Sequence, residues 1–137
     1  MTINEAYRKG IGILKNAGIE APVNDAGVIM CHVLKCDRAF LYSRGADELE
    51  ENLLKIYFDL LEQRASKVPL QHITGFQEFM SLPFEVGRNV LIPRQDTEIL
   101  VETVINLCKK NRHERVDILD VGTGSGCIAV SLAYYIP

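Results

Sequence analysis

Ile118-Leu119-Asp120-Val121-Gly122-Thr123-Gly124-Ser125-Gly126-Cys127-Ile128-Ala129 is the stretch on which the reading of this chain turns. The apolar run from Val116 to Val121 has the composition of a buried strand, and the glycine turn after it predicts a helix from about Ser125. A strand feeding such a turn lets bare main chain approach a ligand where a Cβ would stand in the way. Three glycines at alternate positions would each cost roughly 0.5 to 1 kcal/mol in backbone entropy relative to alanine, a cost that argues for a purpose. The spacing therefore predicts a cofactor loop made by Gly122, Thr123, Gly124, Ser125 and Gly126. A dinucleotide fingerprint, G-x-G-x-x-G, would need glycine at 127, where the chain has Cys127, and no Gly-Lys-Ser/Thr follows to make a Walker loop.

Moving back along the chain, Leu100, Val104 and Leu107 recur at helical spacing and predict a helix over 96–110. Asp96 is placed to cap it, with Glu98 near its N-terminus and Lys109 and Lys110 at its C-terminus complementing the dipole. The segment before it, Asn89-Val90-Leu91-Ile92-Pro93, reads as extended chain. Phe76, Phe79, Leu82, Phe84 and Val86 fall in short aromatic and β-branched runs broken by Ser81, Pro83 and Gly87, which are hairpin signals.

From Thr2 to about Lys67 the pattern is helical throughout. Thr2-Ile3-Asn4-Glu5 has the spacing of a capping box, and Ile3, Tyr7, Ile11, Leu14 and Ala17 form one apolar stripe that Gly18 can end. A second stripe, Ile29, Met30, Val33 and Leu34, follows Pro22 with Asn24 or Asp25 as cap. A short connecting helix is expected from Asp37 to Ser43 with Phe40 and Leu41 turned inward. Leu49, Leu53, Ile56, Leu60 and Leu61 mark a longer helix that ends before Pro69. Such stripes cannot be buried singly, so this zone is expected to be a small bundle.

In a chain of 137 residues, a hydrophobic content of 47% with 24% charged residues fits a soluble globular protein. No run approaches the roughly 18 apolar residues of a membrane span, and the first residues lack a signal-peptide pattern, so a cytoplasmic protein is expected. Cys31, Cys36, Cys108 and Cys127 contain no C-x-x-C pair and are expected to be reduced and mostly buried, with no metal site. A net charge of −3 argues against a broad phosphate-binding surface and for a protein or small-molecule substrate.

The loop pattern D-x-G-x-G-x-G, from Asp120 to Gly126, is similar to the first motif of class I methyltransferases that use S-adenosylmethionine (SAM). Gly75-Phe76-Gln77-Glu78-Phe79, Phe84-Glu85-Val86 and the run from Val90 through Pro93-Arg94-Gln95-Asp96-Thr97-Glu98 to Glu102 resemble the linker and domain start of one such family. That family is the release factor glutamine methyltransferases, and the resemblance is close over roughly residues 64 to 133. Gln95 stands where relatives commonly have a second proline, and His72, where they often have tyrosine, is read as a packing difference. Thr97-Glu98 sides with the release-factor branch rather than with a sibling family that methylates a ribosomal protein.

The resemblance implies a mainly α, α+β chain: an N-terminal helical bundle for substrate recognition over 1–72, a β-hairpin linker over 73–92, and over 93–137 the first strand, loop and helix of a Rossmann-like methyltransferase domain, incomplete here. It implies methyl transfer from SAM to the glutamine side-chain amide of a Gly-Gly-Gln loop in peptide chain release factors. Gly122 to Gly126 would face the cofactor, and Pro93, Arg94, Thr97 and Glu98 would border the substrate pocket. The family's catalytic Asn-Pro-Pro-Tyr motif does not occur in these residues. Catalytic groups are therefore expected beyond Pro137, and the 137 residues alone are expected to be inactive. Two other readings stay open: a methyltransferase acting on a ribosomal protein or a nucleic-acid amine, and a non-catalytic module that docks on the release factor.

Overall fold

The computed structural model describes residues 1–111 and 116–136, which fall into two units, Met1–Thr74 and Gly75–Pro137. Each follows from its own apolar pattern.

The first unit opens with the capping box. Glu5 N–H donates to Thr2 Oγ1 at 3.2 Å, and Thr2 N–H donates to Glu5 Oε2 at 2.9 Å. The N-terminus of α1 (Ile3–Asn16) is thereby satisfied, and its other end stops at Gly18, whose φ of 65° lies in the left-handed region. The bond that the Glu5 carboxylate accepts from Thr2 N–H also lowers its pKa. α1 buries Ile3 and Leu14 as the stripe predicts, with Tyr7, Ile11 and Ala17 partly covered.

α2 (Pro22–Leu34) begins earlier than expected. Proline occupies the first turn, where its missing N–H costs nothing, and neither Asn24 nor Asp25 caps it. Asp25 is instead buried, and its Oδ2 accepts from Arg64 Nε at 2.8 Å. α3 (Arg38–Ser43) is capped by Asp37, whose Oδ1 accepts from Phe40 N–H at 2.8 Å. Leu41 points into the core, but Phe40 is 41% exposed, a correction to the expectation that both face inward. Adjacent positions on a helix are about 100° apart, and in this short helix it is Leu41 that faces the core.

α4 (Glu51–Ala65) buries Tyr57 and Leu61, while Leu53 and Leu60 are partly covered and Ile56 is exposed. Tyr57 lies under α1 at Gly10, where an added Cβ would meet its hydroxyl. That hydroxyl donates to Ala26 O at 3.3 Å, and burial pushes its pKa above the ordinary phenol value. Past α4, Lys67 takes a left-handed φ of 68°, and its ammonium donates to Ala17 O at 2.7 Å and Gly18 O at 2.9 Å. These are carbonyls at the end of α1, where a cation is favoured. A five-residue helix not anticipated from periodicity, α5 (Leu70–Thr74), ends the unit and buries Ile73.

The second unit starts with a hairpin of β1 (Phe76–Phe79) and β2 (Leu82–Glu85), antiparallel, with Phe76 opposite Glu85 and Phe79 opposite Leu82. Its two-residue turn places both Met80 (φ 50°) and Ser81 (φ 58°) in the left-handed region. That matches the twist of a tight hairpin, although glycine or asparagine ordinarily supplies it. A 3-10 turn over Gln95–Thr97 precedes α6 (Glu98–Asn111), so Asp96 lies inside the turn instead of capping the helix. The apolar face is also displaced: Val101 and Ile105 are buried, whereas Leu100 and Leu107 are 52% and 53% exposed. The buried pair packs with Phe79, Phe84, Cys127 and Leu132, so the hairpin and α7 (Cys127–Tyr135) select the inner face of α6.

Residues 116–120 form no strand, which corrects the expectation of a buried one. Leu119 is 86% and Val121 85% exposed. A parallel-type strand is stable only with neighbours on its edges and cover on its faces. Among the described residues, strand pairing is limited to the hairpin and one bridge between Thr2 and Glu48. The mainly helical, α+β character stands. No described helix is long and apolar enough to cross a membrane.

Candidate functional site

The glycine loop has a conformation that its composition permits. Gly122, Gly124 and Gly126 have φ of 76°, 57° and 77°, a region that side-chain-bearing residues reach only with strain. Gly126 N–H donates to Thr123 O at 2.9 Å, closing the turn, and Val130 N–H donates to Gly126 O at 2.9 Å, starting α7. Thr123 Oγ1 donates to Asp120 Oδ2 at 2.9 Å, tying the two arms of the loop together. Asp120 therefore holds the loop's shape, a role that motif spacing alone does not assign.

A Cβ placed on Gly122 would meet nothing within 4 Å, and on Gly124 or Gly126 only atoms at 3.9 or 3.8 Å. These glycines are not demanded by the protein's own packing. Their left-handed backbone is what demands them, and it leaves Gly122, Thr123 and Gly124 as exposed main chain. Ser125 and Gly126 are half-buried at the mouth of α7.

Of the Pro-Arg segment, Pro93 is buried, Arg94 exposed, and Thr97 and Glu98 half-buried. Thr97 N–H donates to Arg94 O at 3.0 Å, which makes the 3-10 turn. Glu98 Oε1 accepts from Met80 N–H at 2.7 Å, and Tyr135 Oη donates to Met80 O at 2.6 Å. Glu98 thus holds the strained hairpin turn from one side and Tyr135 from the other. Sequence reading had no signal for Tyr135, because its partner is a backbone carbonyl 55 positions away.

Beside this turn is an open hollow of about 360 Å³ lined by Glu78, Glu98 and Glu102 together with Gln77, Gln95 and Ser81. Among the described residues, no Lys or Arg lines it, and neither does any residue of the glycine loop. Of the site residues read from the sequence, the glycine-loop set forms one bare main-chain loop and Glu98 lines the acidic, amide-rich hollow, whereas Pro93, Arg94 and Thr97 are not among the described residues that line it.

His72 is in α5, its Nε2 buried without a hydrogen-bond partner among the described residues. The cysteines are all free thiols, and only Cys127 is fully buried, fewer than expected. No group of three or more His, Cys, Asp or Glu side chains among the described residues could hold a metal ion.

A family model described as the PrmC N-terminal domain matches residues 5–75. A release factor glutamine methyltransferase from Clostridium acetobutylicum is 44% identical over 135 residues, covering 98% of this chain and 47% of that protein. The chain belongs to the release factor glutamine methyltransferase family. Proteins of the same name from Moorella thermoacetica and Aliivibrio fischeri are 41% and 36% identical over 137 residues, the whole of this chain. The chain spans about half the length of the curated relatives it matches. In this family the matched helical domain is the first unit, and the identity with these relatives continues across the hairpin and glycine loop of the second.

Proposed function

We propose that the protein is a protein-glutamine N-methyltransferase that uses SAM to methylate the Gly-Gly-Gln glutamine of peptide chain release factors, as an enzyme of its relatives' length. The observation that carries the reading is identity of 36% to 44% with proteins bearing that name across both units, glycine loop included.

The second unit would begin a Rossmann-like domain over 93–137, with the hairpin of 73–92 as linker and the bundle of 1–72 as the surface that recognises the release factor. The loop fits the cofactor: at Gly122 and Gly124 the main chain is exposed where a side chain would otherwise project. Gly122, Thr123, Gly124, Ser125 and Gly126 would hold SAM, which supplies an electrophilic methyl group when bound. Asp120, through Thr123, keeps the loop in its open shape. Pro93, Arg94, Thr97 and Glu98 would border the substrate pocket, where the acidic hollow could accept hydrogen bonds from a side-chain amide. Orienting such an amide matters because its lone pair is delocalised into the carbonyl, so positioning supplies much of the rate.

The test is transfer of labelled methyl from SAM by the protein at its relatives' length. Label on the Gly-Gly-Gln glutamine of release factor supports the reading. Label on a ribosomal protein or on DNA, with none on release factor, overturns it. A second reading, a docking module, is favoured by the self-contained core of the first unit. Retention of release factor by residues 1–90 supports that role, and loss of all binding counts against it.

A further inference from the structure

At the end of α2 two thiols meet. The helix ends on Lys35, left-handed with φ of 52°, and the next N–H, that of Cys36, donates back to Cys31 O at 3.1 Å. This is the six-to-one bond of a Schellman ending, in which the first and sixth residues also touch through their side chains. The contact is ordinarily apolar. Here both of its positions are cysteines, Cys31 and Cys36. A reversal closed by such a bond brings two Cα atoms into the range that a disulfide spans.

Both thiols are half-buried against the bundle core, and neither is sealed off. Burial lifts both above the ordinary thiol value. Cys36 lies past the end of α2 while Cys31 is within its last turn, so Cys36 is taken as the attacking group of the pair. It immediately precedes Asp37, the cap of α3, so a covalent link here would lock the corner between α2 and α3. That corner also seats Arg38, which donates through Nη2 to Asn24 O at 3.0 Å and to Asn24 Oδ1 at 2.7 Å.

We propose that Cys31 and Cys36 form a thiol–disulfide exchange site that reacts with a low-molecular-weight disulfide and stores the product as a cap-locking bond. The Cys36 thiolate attacks one sulfur of the external disulfide; its S–S bond breaks, and the departing thiolate carries off the electron pair and takes up a proton. The Cys31 thiolate then attacks Cys36 in the mixed disulfide, forming the Cys31–Cys36 bond and expelling the second external thiol. Two protein thiols are oxidised and one external disulfide is reduced, with both protons passed to the released thiols. The proposal is independent of the methyltransferase reading.

The experiment equilibrates the native chain and its urea-unfolded form in glutathione and glutathione-disulfide mixtures, followed by acid quench, alkylation and peptide mass spectrometry. The expected result is a Cys31–Cys36 cross-linked peptide whose effective concentration in the native chain exceeds that in the unfolded chain at least about tenfold, equal to about 30 mV for a two-electron couple. In Cys31→Ser the reaction should halt at a glutathione adduct on Cys36. Equal effective concentrations, or separate adducts on both cysteines of the native chain without a cross-link, would overturn the proposal.

Discussion

The two units handle apolar surface in opposite ways. In the first, helices α1, α2 and α4 each present a stripe to the others, and the buried set runs from Ile3 to Ile73 without leaving those 74 residues. In the second, a smaller buried set of Phe79, Phe84, Val101, Ile105, Cys127 and Leu132 coexists with Leu100, Leu107, Leu119 and Val121 open to solvent. The first unit buries the stripes of its long helices within itself, although Val23, Phe40, Tyr42 and Ile56 stay exposed. The second carries more apolar pattern than its described residues can cover, and that surplus concentrates beside the glycine loop and along α6.

Substitutions can break or sharpen this contrast. The largest effect is expected from Leu61→Ala, which empties a fully buried site in the first unit and should cost about 2 to 5 kcal/mol; native-state hydrogen exchange of α1 and α4 amides reads it directly. Asp25→Ala removes the partner of a mostly buried guanidinium at 2.8 Å and should cost about 2 kcal/mol by urea denaturation followed through the first unit. Ser81→Gly should act with the opposite sign, stabilising the second unit by about 1 kcal/mol because glycine occupies the left-handed region freely. Its check is slower exchange of the Phe79 and Leu82 amides. The smallest effect belongs to Leu119→Ala combined with Val121→Ala, which should change the stability of this chain by less than about 0.5 kcal/mol. A loss above 2 kcal/mol there would show that these side chains are covered and that the contrast is wrong.

How much was legible in the sequence also differs between the units. Thr2 and Glu5 read correctly as a capping box because both partners lie within one turn, and Gly18 read correctly as a stop because the signal is local. The start of α2 did not, since Pro22 and Asp25 support competing readings and a distant residue, Arg64, decides what Asp25 does. In α6 the spacing predicted a helix but not its inner face. Leu100 and Val101 are equally apolar, and only the positions of Phe79, Phe84 and Leu132 settle which one is covered. The glycine loop was legible as a turn, because three alternate glycines break a strand or helix locally, whereas the positive φ at each of them is permitted but not dictated by composition. The role of Glu98 was not, because its partner, the Met80 N–H, exists only once the hairpin has formed.

The Lys67 ammonium, seated on the carbonyls of Ala17 and Gly18, joins positions 50 and 49 apart in the chain. Closing so long a loop is entropically costly, so this clasp belongs to the last stage of assembly, after the helices have packed. Its weight should accordingly fall on how long the bundle survives instead of how fast it forms. Stopped-flow chevrons of Lys67→Met with a steeper loss of lifetime and an unaltered refolding limb are the expected signature, and slowed refolding would place the clasp in the nucleus.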